Sequence, residues 1–355
     1  MTNTTQIDEA KLNAVIGQAV ADIGGTATAT LVSIGDKLGL YKALSAFGPA
    51  TPLELAESTG ISERYLRHWL VNQAASGYVD YDPTSGRYSM SPEQAMVFAD
   101  DENMAAMAGG FGLLTSIARD EEKIAAAIRE GKGFSWGDHD PGLFTGTARF
   151  FKPGYMGNIA QSWIPALDGI QARLEQGGMV ADVGCGHGVS TIVMAQAYPK
   201  SRFFGFDNHA ESIRVAREAA QEAGVSDRVT FEAASAQAFP GRDYDLVAFF
   251  DALHDMGDPD GAARHAKEVL RTGGSVMLVE PMAGDKIEDN FNPIGRIYSA
   301  ASVLVCTPHA LAEGGRALGT IATDAELKSV FDGAGFGQFR RATETMTNRV
   351  FEAKV

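Results

Sequence analysis

The stretch 180–188, VADVGCGHG, constrains this chain more than any other. An apolar run carrying Asp182 meets glycines at three alternate positions, Gly184, Gly186 and Gly188, just before a helix that begins near Ser190. A strand that turns through glycines directly into a helix opens a βαβ unit, and such units build a parallel sheet covered by helices. The rest of the C-terminal half fits. Short β-branched or aromatic runs at 179–183, 203–206, 229–231, 246–250 and 275–280 alternate with amphipathic helical stretches. Thr323 and Glu326 form a capping box for a helix reaching about residue 335. Two last strand-like runs, 338–343 and 349–353, flank a turn short enough for a hairpin, so the sheet is expected to end in an antiparallel pair.

Upstream, the texture differs. Leu12, Val15, Ile16, Ala19, Val20 and Ile23 recur at i, i+3, i+4, i+7, i+8 and i+11, the stripe of an amphipathic helix whose face must pack on something. A second apolar helix is expected over about 27–44. Thr51, Pro52 and Glu54 supply an N-cap, a first-turn proline and a capping-box acid for a third. Ser62 starts a fourth through Tyr65, Leu66, Trp69 and Leu70. The β-prone runs 78–81 and 87–90 surround a turn at 82–86, completing the helix, helix, helix, hairpin order of a winged helix. Residues from about 100 to 176 are Ala- and Met-rich helical stretches, broken by a loop at 131–142 that carries Trp136, His139 and Pro141. They are expected to form a helical connector. The expected organisation is thus a winged helix over 1–100, a connector over 101–175 and an α/β domain over 176–355.

Composition excludes some functions. A chain of 355 residues with 45% hydrophobic and 21% charged content is expected to be soluble and globular, with about two domains. Against 30 Lys and Arg stand 45 Asp and Glu, a net charge of -15 that repels phosphate backbones, so no nucleic-acid partner is expected. The two cysteines, Cys185 and Cys306, have neither disulfide-framework nor zinc-site spacing, which suits a reducing cytoplasm. The start, MTNTTQIDEAK, has no basic region followed by an apolar one, and no uncharged apolar run approaches bilayer length. Neither export nor membrane attachment is expected.

The glycine turn suggests a ligand. Glycines let the backbone approach closely, and the helix start presents unpaired N–H groups. In the dinucleotide fingerprint the third glycine follows the second by three positions, whereas Gly188 follows Gly186 by two, which favours a nucleoside-bearing ligand without phosphates. Asp207 closes the second strand, where a carboxylate accepts hydrogen bonds from both ribose hydroxyls.

The ordered set comprises the glycine loop, Asp207, a third strand ending at 234–236, a fourth ending at Asp251, and LRTGG at 270–274 before the fifth. With these marks, residues 176–355 resemble the class I S-adenosylmethionine-dependent methyltransferases, whose α/β fold is a Rossmann-like seven-stranded sheet. The resemblance implies that S-adenosylmethionine is the cofactor. Asp182, Gly184, Cys185, Gly186 and Gly188 would hold its methionine part, and Asp207 with Asn208 its ribose. Ser235 and Ala236 would lie beside the adenine, where the family commonly has an acid followed by a small residue. Phe250 and Asp251 would lie near the methionine end and the transferable methyl.

The segment Leu253-His254-Asp255 after a winged-helix start is similar to the plant-type O-methyltransferases and their bacterial small-molecule relatives. That similarity implies His254 as general base, with Asp255 beside it. Met256 stands where many plant members have tryptophan, and the carboxylates flanking the histidine in those enzymes have no legible counterpart here. Two roles stay open for the segment: a base for a hydroxyl acceptor, or a helix-start histidine with Asp255 and Asp258 as capping acids. The family likeness further implies a homodimer joined through the N-terminal domain, which also helps roof the active site.

The acceptor pocket is expected from the connector and the insertion 282–321, with Tyr155, Trp163, Arg296, Tyr298 and Ser302 as candidate contacts. Phe151, Asn292 and His309 are secondary ones. No His, Asp or Glu cluster has ligand spacing, so no metal is expected. The expected activity is methyl transfer to a small-molecule hydroxyl. Nitrogen or carbon acceptors, or a cofactor-retaining protein with another reaction, are alternatives, as is a winged-helix transcription regulator with a ligand-binding domain. Against the last, the helix at 62–70 offers Arg64, Arg67 and His68, but Tyr65, Leu66, Trp69 and Leu70 leave little face for base edges.

Overall fold

Asp8 accepts the backbone N–H groups of Ala10 and Lys11 and so starts a helix, α1, that runs unbroken over Glu9–Lys37 in the computed structural model, which describes residues 7–355. Sequence reading expected two helices here, one carrying the 12–23 stripe and a second over about 27–44, with Gly24 and Gly25 lying between them. Glycine weakens a helix interior by roughly 1 kcal/mol but does not end it, and the chain turns only at Gly39, which is left-handed at φ 69°. There follow α2 (Leu40–Phe47), α3 (Pro52–Thr59), α4 (Glu63–Ala75), the antiparallel pair β1 (Asp80–Asp82) and β2 (Arg87–Ser89), and α5 (Pro92–Phe98). Together they form the winged helix. Glu54 closes the capping box with Thr51 and also receives Arg87 from β2 at 2.6 Å, tying wing to helix. Val32, Tyr41, Leu44, Leu55 and Leu70 form the core, within which the Tyr41 hydroxyl donates to Gln73.

Only the C-terminal part of α1 enters that core. Leu12, Val15, Ile16, Val20 and Ile23 are between 46% and 70% exposed. The helix is also long and apolar enough, by length and composition, to cross a bilayer. Sequence reading looked for uncharged runs and missed this, because Asp22 interrupts an otherwise uncharged stretch from Leu12 to Gly35.

The chain separates into two compact units, one ending at Thr115 and one over Ser116–Val355, with α6 (Ala108–Ile117) spanning the boundary. The second unit begins with α7 (Glu121–Glu130), α8 (Gly142–Asn158) and α9 (Ile170–Gln176). The α/β part then runs β3 (Met179–Val183), α10 (Val189–Ala197), β4 (Arg202–Asp207), α11 (Ala210–Glu222), β5 (Val229–Ala233), β6 (Tyr244–Phe250), α12 (Pro259–Val269) and β7 (Leu270–Pro281). After an insertion holding α13 (Pro293–Ala301) and α14 (Thr307–Ala312), it closes with α15 (Asp324–Gly333), β8 (Gln338–Glu344) and β9 (Asn348–Lys354).

These strands make one sheet in the order β5-β4-β3-β6-β7-β9-β8. The first five are parallel, while β9 runs antiparallel to both neighbours. All seven residues of β6 are buried, as expected for a central strand covered on both faces by separate apolar clusters. The exception to its apolar run, Asp245, accepts the Met179 N–H and pairs with Arg271 at 3.1 Å. The strand order reverses between β3 and β6. The crevice beyond their C-terminal ends is where open α/β sheets take ligands.

Candidate functional site

The chain leaves β3 through Gly184, Gly186 and Gly188, at φ 77°, 51° and 77°. All three lie in the left-handed region that L side chains disfavour, yet their surroundings differ. A Cβ on Gly184 would lie 2.7 Å from that of Ala252, and one on Gly188 2.5 Å from the Phe231 ring, whereas one on Gly186 would meet nothing. Packing demands the outer two glycines, and the middle one faces open space. At the tip of β4, Asp207 receives the Gly186 N–H at 2.8 Å and the His209 N–H at 2.9 Å. Burial pushes its carboxyl up against the pull of those donors. Asp182 stands behind the loop. One oxygen accepts the Ser190 and Thr191 hydroxyls, each at 2.6 Å, and the other is buried without a partner among the described residues. Burial lifts its pKa to about 6.

A cavity of about 380 Å³ opens at this point, within the usual size for small-molecule sites. Of the residues singled out from sequence, Gly184, Cys185, Gly186, Asp207, Asn208, Ser235, Ala236, Phe250, Asp251, Asp255 and Tyr155 line it, as do the secondary candidates Phe151 and His309. Asp182 and Gly188 lie one layer behind. Sequence reasoning missed Trp136 and Phe144 of the connector, and His187 and His209, whose rings lie parallel to that of Phe144. It also missed Glu313. Among the described residues, five that line the cavity are acidic, Asp207, Asp251, Asp255, Asp258 and Glu313, and none is Lys or Arg. Such a wall repels phosphates and attracts a cation.

Beyond β6 the backbone turns sharply. Asp251 adopts φ 49°, and its oxygens accept the Tyr155 hydroxyl at 2.9 Å and the Asn348 amide at 2.7 Å. Burial, reinforced by Glu280, moves its pKa to about 7. His254 is 3% exposed and does not line the cavity. Its Nδ1 lies 2.6 Å from Glu280, a carboxylate at the end of β7 whose other oxygen is buried and has no hydrogen-bond partner among the described residues. Burial alone would depress the imidazole pKa, but Glu280 and Cys306 together outweigh it and hold the group well above its ordinary value. An acid ending an apolar run beside the β6 tip was the available signal for Glu280.

Asp258 caps α12 by accepting the Gly261 N–H at 2.7 Å, while Asp255 turns to the cavity with its pKa lifted by burial to about 7. The capping alternative therefore describes Asp258 alone. Donor atoms of His254, Asp255 and Cys306 lie within 4.8 Å of one another, all buried. Sequence spacing offered no such set, because Cys306 arrives from the insertion at the end of a π-helical turn, Ser302–Cys306.

Trp163, Arg296, Tyr298 and Ser302 are not brought to the cavity wall. Trp163 is fully buried against Tyr155 and Phe250, and Ser302 is buried in the π turn. Tyr298 points inward and donates to the Thr347 carbonyl, while Arg296 is exposed. Two residues apart on a helix, they cannot share a face.

The sheet with its antiparallel closing pair, the glycine turn and the acid at the tip of β4 define a methyltransferase domain preceded by a winged helix. Residues 174–332 match the model of a methyltransferase domain, and residues 26–99 that of an Rv2258c-like winged HTH domain. Among curated proteins, the 27-O-demethylrifamycin SV methyltransferase of Amycolatopsis mediterranei is 36% identical over 107 residues, 30% of this chain and 39% of that enzyme. The chain spans between 23% and 42% of the length of the first three curated relatives it matches. Likeness of fold reaches further. An O-methyltransferase structure described as putative, from Nostoc punctiforme, superposes with a TM-score of 0.72 at 22% identity over 98% of this chain and 99% of that one. Human N-acetylserotonin methyltransferase in complex with SAM gives 0.71 at 16% identity over 99% of each chain.

Proposed function

We propose that this protein transfers the methyl group of S-adenosylmethionine to the hydroxyl of a small molecule. The observation that carries the reading is the charge of the cavity. Five acids without Lys or Arg would stabilise a sulfonium and an ammonium and reject the phosphates of a dinucleotide. Asp207 already accepts two backbone donors and retains lone pairs for the ribose hydroxyls, with Asn208 beside it. Ser235 and Ala236, assigned to the adenine, line the cavity. Gly184, Cys185 and Gly186 offer backbone to the methionine part, and Asp182 positions the loop through Ser190 and Thr191. When bound, the cofactor supplies an electrophilic methyl carbon. The protein's part is to orient the acceptor, exclude water and take up its proton.

Calorimetry with S-adenosylhomocysteine tests this. The wild-type chain should bind it, and Asp207→Ala should weaken binding at least about tenfold, as expected for hydrogen bonds to a charged group. Equal affinity in the two would remove the ribose assignment.

The exposed stripe on α1 supports pairing with a second copy of the chain. A Val15→Glu, Val20→Glu variant should then halve the mass measured in solution, and a monomeric wild type would refute the pairing. Duplex DNA is disfavoured as a partner because Arg67 is already engaged by Glu63 at 2.8 Å and Leu66, Trp69 and Leu70 are buried. The two free cysteines are buried, which suits a reducing cytoplasm.

A further inference from the structure

We propose that His254, Asp255 and Cys306 form a binding site for a zinc ion behind the wall of the cavity. The inference goes beyond the methyltransferase reading and does not depend on it.

Two segments far apart in the chain supply the donors. His254 and Asp255 lie in the turn after β6, and Cys306 closes the π-helical turn of the insertion. Their donor atoms, an imidazole nitrogen, a carboxylate oxygen and a thiol sulfur, lie within 4.8 Å of one another, and all three residues are buried. Tetrahedral zinc has bonds of about 2.0–2.3 Å, which sets its ligand atoms about 3.5 Å apart, so a small side-chain movement closes the set. Imidazole, carboxylate and thiolate together suit a borderline-soft ion. Magnesium and calcium prefer oxygen ligands alone.

The surroundings complete the arrangement. Glu280 lies 2.6 Å from Nδ1 of His254, the contact that a metal-ligating histidine makes through its other ring nitrogen. That leaves Nε2 for the metal. Asp255 stands at the cavity wall while His254 lies behind it, so an ion arriving through the cavity meets Asp255 first. The acids Asp207, Asp251, Asp258 and Glu313 on the same wall draw cations to that entrance. Three protein ligands leave a fourth position for water. On binding, the Cys306 thiol gives its proton to solvent and its sulfur shares an electron pair with the metal, and nothing is oxidised or reduced.

The test uses the full chain, stripped with EDTA, kept reduced and titrated at about pH 8 with zinc chloride and, separately, with cobalt chloride. Wild type should bind one zinc with a dissociation constant of about 1 μM or tighter, releasing protons as it does so, and should not bind magnesium. Its cobalt form should show thiolate-to-metal charge-transfer absorption. Cys306→Ala and Asp255→Asn should each weaken zinc binding about 100-fold or more, beyond what loss of an outer contact costs. A cooperative thermal melt in EDTA shows that each variant is folded. Unchanged zinc affinity in folded Cys306→Ala would overturn the site, because the ion would then sit elsewhere. So would the absence of zinc uptake by wild type. The cobalt spectrum of wild type needs no variant, and a spectrum without the charge-transfer band would overturn the site even if both substitutions prevent folding. None of these readouts involves S-adenosylhomocysteine, so the cofactor assignment stands or falls separately.

Discussion

The tips of β3 and β6 lie side by side in the sheet and face one cavity, yet they are built in opposite ways. At the β3 tip the chain offers backbone: Gly184, Gly186 and Gly188 hold left-handed conformations, and Asp207 grips the loop through the Gly186 N–H. At the β6 tip it offers side chains: Asp251, held by Tyr155 and Asn348 from distant segments, and Asp255. Even the join between the two is steric, since Gly184 has no room for a Cβ beside Ala252. A tip made of backbone has no rotamers to lose, which suits the proposed cofactor contacts. A tip made of titratable side chains has its acidity set by whatever the rest of the fold packs around them.

Substitutions can break this contrast at either tip. The largest effect is expected at Gly188→Val, which combines left-handed strain with a clash against the Phe231 ring. A loss of about 4 kcal/mol should lower the melting temperature by roughly 10 °C and abolish detectable S-adenosylhomocysteine binding. Retained binding would show that the loop tolerates a side chain, and the backbone account of the β3 tip would fall.

At the β6 tip, Glu280→Gln should cost about 3 kcal/mol, as expected when one partner of a buried charged pair is removed. The pKa of His254 is higher in the folded chain than in the unfolded one. The stabilisation from the pair is therefore full below about pH 6.5 and is lost as pH rises through the folded value. Thermal melts of variant and wild type should differ most near pH 6 and converge toward alkaline pH. A pH-independent difference would mean that the pair is neutral.

Asp255→Asn should have the opposite sign. Burial raises the carboxyl to about 7, so the wild type carries a penalty that is absent below about pH 4 and complete above about pH 7. The variant should melt a few degrees higher than wild type at pH 8 and indistinguishably at pH 4. A lower melting temperature at pH 8 would show that the ionised group has a stabilising partner. Ser235→Ala should be the mildest, shifting S-adenosylhomocysteine affinity by less than about threefold, because this hydroxyl is exposed and any bond to the adenine exchanges with water. A larger shift in calorimetry would make the adenine wall as specific as the ribose contact.

What could be read before folding follows the same division. The Thr51–Glu54 and Thr323–Glu326 capping boxes, the strand 179–183 and the closing hairpin are local patterns, and each formed where its residues called for it. The break expected near residue 27 did not, because Gly24 and Gly25 weaken a helix without ending it, and α1 runs on to Lys37 before the chain turns at Gly39. The glycine loop and Asp207 were legible for the same local reason: glycine spacing and strand ends are properties of adjacent residues.

The surroundings of the β6 tip were not legible. Tyr155 lies 96 residues before Asp251 and Asn348 lies 97 after it, Glu280 is 26 residues beyond His254, and no periodicity links such partners. The inward turn of Tyr298 and the outward turn of Arg296 likewise depend on how the insertion packs. Sequence alone determined that a strand would run into a left-handed glycine turn facing an acid, because backbone conformation is decided by neighbouring residues. Which carboxylate faces the cavity and which histidine is shut behind it was decided only by the tertiary structure, because burial and electrostatic environment belong to groups that meet across the fold.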